Sequence, residues 1–139
     1  MWYYEGKEFT SEMINDYVGF VYLITDPDGM KYIGKKLFRS TKRLPPLKGK
    51  KRKRVKVTES DWKSYHGSNE ALKKLVEEKG SAAFDRQILR LCETKGECSY
   101  WEAYEQFTKH VLYDKMYHNG YIGCRINSKH LKHLKQDKL

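Results

Sequence analysis

Gly19-Phe20-Val21-Tyr22-Leu23-Ile24-Thr25-Asp26-Pro27-Asp28-Gly29-Met30-Lys31-Tyr32-Ile33-Gly34 is the stretch on which the fold turns. Its first seven residues are aromatic and β-branched, which predicts a strand. Asp26 to Gly29 is a turn, with proline presetting φ and glycine supplying a positive φ. Met30 to Gly34 reads as a second short strand, so the whole is an antiparallel hairpin. Tyr22 and Tyr32 lie on its opposite arms. Side chains that share one sheet face lie within about 5–8 Å of each other, so the hairpin brings the two phenols together. Tyrosine is also a good strand residue, so the pair alone fits plain packing.

Upstream, Met1 to Val18 is aromatic and polar; Trp2, Tyr3, Tyr4 and Phe9 suit a strand or an edge segment, and Thr10-Ser11-Glu12 a short helical turn. Downstream, Lys35 to Lys56 is interrupted by Leu44-Pro45-Pro46-Leu47, where two prolines end any helix. Lys48 to Lys56 is expected to be a loop or a basic ribbon. Ser68 to Gly80 reads as a helix: Ser68 or Asn69 caps it, Leu72, Leu75 and Val76 form its apolar stripe, and Gly80 suits the position after its end. Phe84 to Leu91 alternates as a third strand. Thr94-Lys95-Gly96-Glu97 is a capping box opening a helix that runs to about Leu112. Asn119-Gly120 is a turn before the apolar pair Tyr121-Ile122. The residues from Ser128 are basic and helix-permissive. The expected fold class is α+β, a small antiparallel three-stranded sheet with helices packed on it.

Length and charge narrow the function. A chain of 139 residues fits one domain, 1–139, with a basic insert at 35–56 and a basic tail at 128–139. Net charge is +10, and residues 35–56 hold twelve Lys or Arg and no acid. The remainder has 16 basic against 18 acidic residues, so the excess lies in that one segment. A local cationic block suits a polyphosphate partner, since each neutralised phosphate releases condensed counterions. The candidate nucleic-acid contacts are Lys35, Lys36, Lys42, Lys48, Lys50, Lys51, Arg52, Lys53, Arg54 and Lys56. The three cysteines, Cys92, Cys98 and Cys124, contain no C-x-x-C pair and read as small buried thiols rather than a zinc site. No apolar run approaches the ~20 residues of a membrane span, and the first residues do not pattern as a secretory signal. A cytoplasmic protein is expected, in the host cytoplasm if phage-encoded.

Gly19 to Tyr22 and Tyr32-Ile33-Gly34 resemble the two halves of the GIY-YIG nuclease signature. The first half departs by one residue, since Gly-Phe-Val-Tyr has two residues between Gly and Tyr. The resemblance continues in order over roughly residues 19–122: Ser68 to Leu91 as the sheet-packing helix and third strand, Thr94 to Leu112 as the long helix with a mid-helix Glu, and Asn119 as the closing Asn. Within the family the chain is most similar to free-standing phage-encoded, homing-like endonucleases.

That resemblance implies hydrolysis of DNA phosphodiester bonds, with RNA as an alternative substrate. It also implies a divalent ion, Mg²⁺ or Mn²⁺, held by a carboxylate. Glu102 is the candidate ligand: it lies mid-helix, Glu97 already serves the capping box, and Glu105 one turn on reads as solvent-facing. One carboxylate plus waters suits Mg²⁺, which keeps most of its hydration. Tyr22 and Tyr32 are the phenols that orient and activate water, and which of them is the base stays open. Asn119 either orients a site group or holds the last loop. The family's phosphate-clamping Arg falls at Lys42 here, so Arg43 is the first candidate for that role and Arg39 the second. Tyr65 and His66 are auxiliary candidates, against a packing role for Trp62 and Tyr65. The rival reading is a non-catalytic basic DNA- or RNA-binding module. It accounts for the charge but not for the paired tyrosines and the Glu. With no appended targeting motif, modest specificity is expected, as a monomer or homodimer.

Overall fold

The computed structural model of the protein describes residues 1–131 and 133. Among the described residues nine strands and helices carry the fold: β1 (Trp2–Tyr4), β2 (Lys7–Glu8), β3 (Gly19–Thr25), β4 (Lys31–Leu37), β5 (Arg39–Leu44), β6 (Arg54–Glu59), α1 (Glu70–Lys79), β7 (Asp85–Cys92) and α2 (Lys95–Thr108). The main sheet has the order β2-β1-β7-β3-β4. Strands β3, β4 and β7 pair antiparallel, whereas β1 runs parallel to β7. The expected three-stranded sheet is therefore one side, β7-β3-β4, of a five-stranded mixed one. The two extra strands are three and two residues long, too short to show a period-two pattern. Their place is fixed by Trp2, which is buried and donates from Nε1 to the Trp62 carbonyl at 2.6 Å.

Each sheet face has its own core. One is aromatic, with Trp2, Phe20, Tyr22, Phe38 and Trp62 packed edge-to-face or tilted at 4.8–6.2 Å and covered by Leu72 of α1. The other face packs Val21, Ile33 and Cys92 on Cys98 and Trp101 of α2. Both helices begin as their sequences dictate. Asn69 Oδ1 accepts from the Leu72 amide at 3.1 Å, so Asn69 rather than Ser68 is the cap. Thr94 Oγ1 accepts from the Glu97 amide at 3.0 Å, while the Glu97 carboxylate reaches back to the Glu93 amide at 2.6 Å. α2 stops at Thr108, short of Leu112, where His110 turns left-handed at φ 57°. Glu105 is buried and ion-paired to Arg90 and Lys109, which corrects its reading as a solvent-facing acid.

Phe38 joins β4 directly to β5, and β5–β6 form a separate two-stranded antiparallel ribbon from Arg39↔Glu59 to Leu44↔Arg54. The basic insert is thus a ribbon closed by the connection 45–53. Of the basic tail, residues 128–131 form one 3-10 turn, and 132 and 134–139 lie outside the described residues. Among the described residues no helix is long and apolar enough to cross a membrane.

Candidate active site

β4 is an outer strand of the main sheet. Such an edge presents a row of backbone groups with no strand to receive them. Here those of Lys31 and Ile33 are all engaged. The Lys31 amide donates to the Met116 carbonyl at 2.7 Å and its carbonyl accepts from the His118 amide at 2.8 Å. The Ile33 amide donates to Asn119 Oδ1 at 3.1 Å. The Ile33 carbonyl accepts from Asn119 Nδ2 at 2.8 Å and from Gln106 Nε2 at 2.9 Å. The Lys35 amide favours the charged form of the Glu102 carboxyl. Asn119 thus takes the place of one residue of a neighbouring strand.

A cavity of about 370 Å³ opens along this edge, with Tyr32, Lys35, Ser68, Glu102, Gln106 and Asn119 in its wall. Tyr32 arrives from the aromatic face of the sheet, Glu102 and Gln106 from α2 on the other. The Tyr32 hydroxyl lies 3.2 Å from Ser68 Oγ. Gly67 sits beside the Tyr32 ring at φ 87°, a left-handed conformation in which a side chain would be strained. Gly34 is forced by the pair itself: a Cβ there would fall 2.7 Å from Tyr22 Cζ and 3.1 Å from the Tyr32 ring.

The electrostatics separate the groups. Burial raises the Glu102 carboxyl above its ordinary value, and the Lys35 ammonium and amide only partly pull it back. Burial also raises Tyr32, with Ser68 opposing and Tyr65 and Glu102 adding to the rise. Tyr22 is 1% exposed and its hydroxyl is driven far above the ordinary phenol range, by burial first and by Tyr65 and Tyr32 next. Tyr22 and Tyr32 do meet on one sheet face, with ring centroids 6.2 Å apart, but only Tyr32 lines the cavity.

The structure brings Tyr32, Lys35, Glu102 and Asn119 together, with Tyr22 behind them. It does not bring Arg39 or Arg43 there. Arg39 donates to the Tyr17 and Asn15 carbonyls, and Arg43 faces Val55 on the ribbon. Tyr65 packs edge-on against Tyr22 at 6.0 Å and carries the Lys36 ammonium over its ring. His66 lies against Phe84 with Nδ1 on the Ser64 carbonyl, and burial and the Arg86 charge lower its pKa. Lys36 pairs with Asp61 at 2.7 Å. Lys42, Arg54 and Lys56 stand on the ribbon strands, and Lys48, Lys50, Lys51, Arg52 and Lys53 on the connection at its tip.

Sequence reading passed over Gln106 and Ser68. Gln106 lies four residues after Glu102, on the same helical face, which was the available signal. Its Oε1 is buried without a hydrogen-bond partner among the described residues, because Nε2 is committed to Ile33. That orphaned acceptor, the Glu102 carboxylate and the Tyr32 hydroxyl give an oxygen-only donor set. No group of three or more His, Cys, Asp or Glu forms a metal cage among the described residues. One carboxylate with neutral oxygens fits a cation that keeps its own waters, such as Mg²⁺, and does not fit zinc.

Compared with known proteins, residues 2–135 match a family model described as "Putative endonuclease segE, GIY-YIG domain". No curated protein and no solved structure matches the chain.

Proposed function

The chain belongs to the segE-type GIY-YIG endonuclease domain family, and from that premise we propose that it hydrolyses phosphodiester bonds of DNA in the cavity along the β4 edge. The observation that carries this reading is the meeting of Glu102, Tyr32 and Lys35 around one opening, with Gln106 Oε1 unpartnered beside them.

Glu102 is the residue that would hold a divalent ion, Mg²⁺ or Mn²⁺. Such an ion, when bound, polarises the phosphate and acidifies a coordinated water. Burial prepares Glu102 for this role, because a half-buried carboxylate gains most from a nearby cation. Gln106, pinned through Nε2 by the Ile33 carbonyl, holds the cavity wall beside Glu102. Tyr32, with its raised pKa, stays a neutral phenol and acts by directional hydrogen bonding to water or phosphate. Tyr22, sealed in the core, sets the position of Tyr32 through ring contact. Lys35 supplies positive charge to the phosphate, and it does so as a point charge without the bidentate fork of an arginine.

The test is incubation with supercoiled plasmid with and without Mg²⁺ or Mn²⁺, alongside Glu102→Ala. Metal-dependent cutting is expected, with kcat down about 100-fold or more in the variant and duplex affinity kept. Undiminished binding without cutting in any divalent ion would leave the basic binding module as the better description.

A further inference from the structure

A second cavity lies on the other side of Lys35. It measures about 470 Å³ and runs between the end of β4, the base of the ribbon and the first turn of α2. Four cationic side chains line it, Lys35, Lys36, Arg39 and Lys95, together with the hydroxyls of Ser60 and Ser99, and no carboxylate does. The cations are held in place. Ser99 Oγ accepts from Lys35 Nζ at 2.7 Å and itself donates to the Lys95 carbonyl at 3.3 Å. Arg39 is fixed by the Tyr17 and Asn15 carbonyls and faces Glu59 across the base of the ribbon. Lys36 alone of the four has an ion pair among the described residues, and its partner Asp61 is largely exposed. A surface arranged for stability alone intersperses the signs. Four cationic residues along one wall, with the nearest acids Asp61, Glu59 and Glu102 outside that wall, suit an anion in the cleft.

We propose that this cleft is a second phosphate subsite, which binds the sugar-phosphate backbone of the substrate strand next to the phosphate being cut. The proposal rests on the nuclease reading of the β4-edge cavity. Lys35 lines both cavities, so a strand with one phosphate at Glu102 has its neighbour's path open through the cleft. Arg39, the far wall, begins β5, so the same path leads onto the ribbon. The cleft thus joins the catalytic cavity to the basic insert in one cationic track. Lys95 and Ser99, outside the insert, become substrate-binding residues.

The experiment measures binding of a fluorescein-labelled DNA duplex in EDTA across a salt series, so that affinity is read without cleavage. The proteins are wild type, Lys95→Ala, Lys95→Arg and, as a control for net charge, Lys74→Ala on the exposed face of α1. Lys95→Ala is expected to weaken binding several-fold and to lower the slope of log affinity against log salt by about 1. Lys95→Arg should restore both, Lys74→Ala should change neither, and all four should melt alike. In the cleavage assay Lys95→Ala should raise KM and leave kcat unchanged. An unchanged Kd and salt slope in Lys95→Ala would overturn the proposal, as would an equal loss in Lys74→Ala. Failure to cut DNA under any condition, with the Lys95 effect intact in EDTA, would overturn the nuclease reading and leave the cleft as a phosphate site.

Discussion

Residues 31–37 and 39–44 are one run of extended chain split by a single residue, Phe38, yet they are built in opposite ways. Along β4 the outward backbone groups of Lys31 and Ile33 are taken by Met116, His118, Asn119 and Gln106, and Tyr32, Lys35, Gln106 and Asn119 are each held by a neighbour at the cavity. Along β5 six cross-strand pairs carry the ribbon and its side chains stand largely in solvent, with Val55 61% and Val57 57% exposed. Lys42 even faces Lys56, a like-charge pair that weakens an isolated ribbon. The ribbon is anchored at its base, where Glu59 accepts from Ser11 Oγ at 2.6 Å and from Trp62 Nε1 at 2.7 Å. Chemistry at a phosphorus atom needs groups fixed to fractions of an ångström. Attraction of a polyanion needs only charge, and tolerates motion.

The largest effect that separates the two regions should come from the ribbon tip. Replacing Lys50, Lys51, Arg52 and Lys53 together by serine removes four charges from an exposed connection with no core contact. Duplex affinity at moderate salt should fall about ten- to a hundredfold, and the salt slope by as much as about 3 to 4. The melting temperature should stay where it was. A salt slope equal to that of the wild type would mean that the tip does not touch phosphate. A lowered melting temperature would mean that the ribbon is part of the folded core.

Gly34→Ala probes the opposite region. The added methyl group has nowhere to go between the Tyr22 and Tyr32 rings. Overpacking of this kind costs about 1–3 kcal/mol. The melting temperature should drop by about 3–10 °C, while the salt slope of DNA binding should not move if the ribbon and the cleft carry it. A variant as stable as wild type would show that the tyrosine pair is loosely held.

The sequence carried the parts of this molecule that depend on local signals. The Asp26 to Gly29 turn, the capping by Thr94 and Asn69, and the phenol pair on one sheet face are all written in adjacent residues. What it did not carry depends on distant chain. Trp2 enters the sheet because Arg86 and Trp62 offer it a slot, and a three-residue strand announces nothing by itself. Arg39 and Arg43 looked like clamps because they follow the second tyrosine, but β5 carries them past the cavity and onto the ribbon. Lys35 was legible as a cation yet not as the wall of two cavities, since that needs α2 folded against β4. Asn119 was legible as a turn residue, while its use as a substitute strand appears only when Ile33 is seen opposite it.

The smallest expected effect concerns the cost of keeping Glu102 in place. Its folded-state pKa is raised, chiefly by burial, above the ordinary carboxyl value that it has in the unfolded chain. The native protein therefore binds the Glu102 proton more tightly than the unfolded protein does. Stability from this group is fully present below the unfolded value, and it is lost as pH rises through the raised folded value. At neutral pH without divalent ions, Glu102 is thus a charge held half-buried against its preference. Glu102→Gln keeps the shape and removes that charge, so in EDTA at neutral pH it should melt slightly above wild type. The difference should shrink to nothing as pH falls below the ordinary carboxyl range, where Glu102 is protonated in both states. Thermal melts of the two proteins across pH, in EDTA, measure this directly. A variant less stable than wild type at neutral pH would mean that Lys35 and its amide hold Glu102 as a structural ion pair. The contrast between the tightly held β4 edge and the open ribbon would then fail at its central residue.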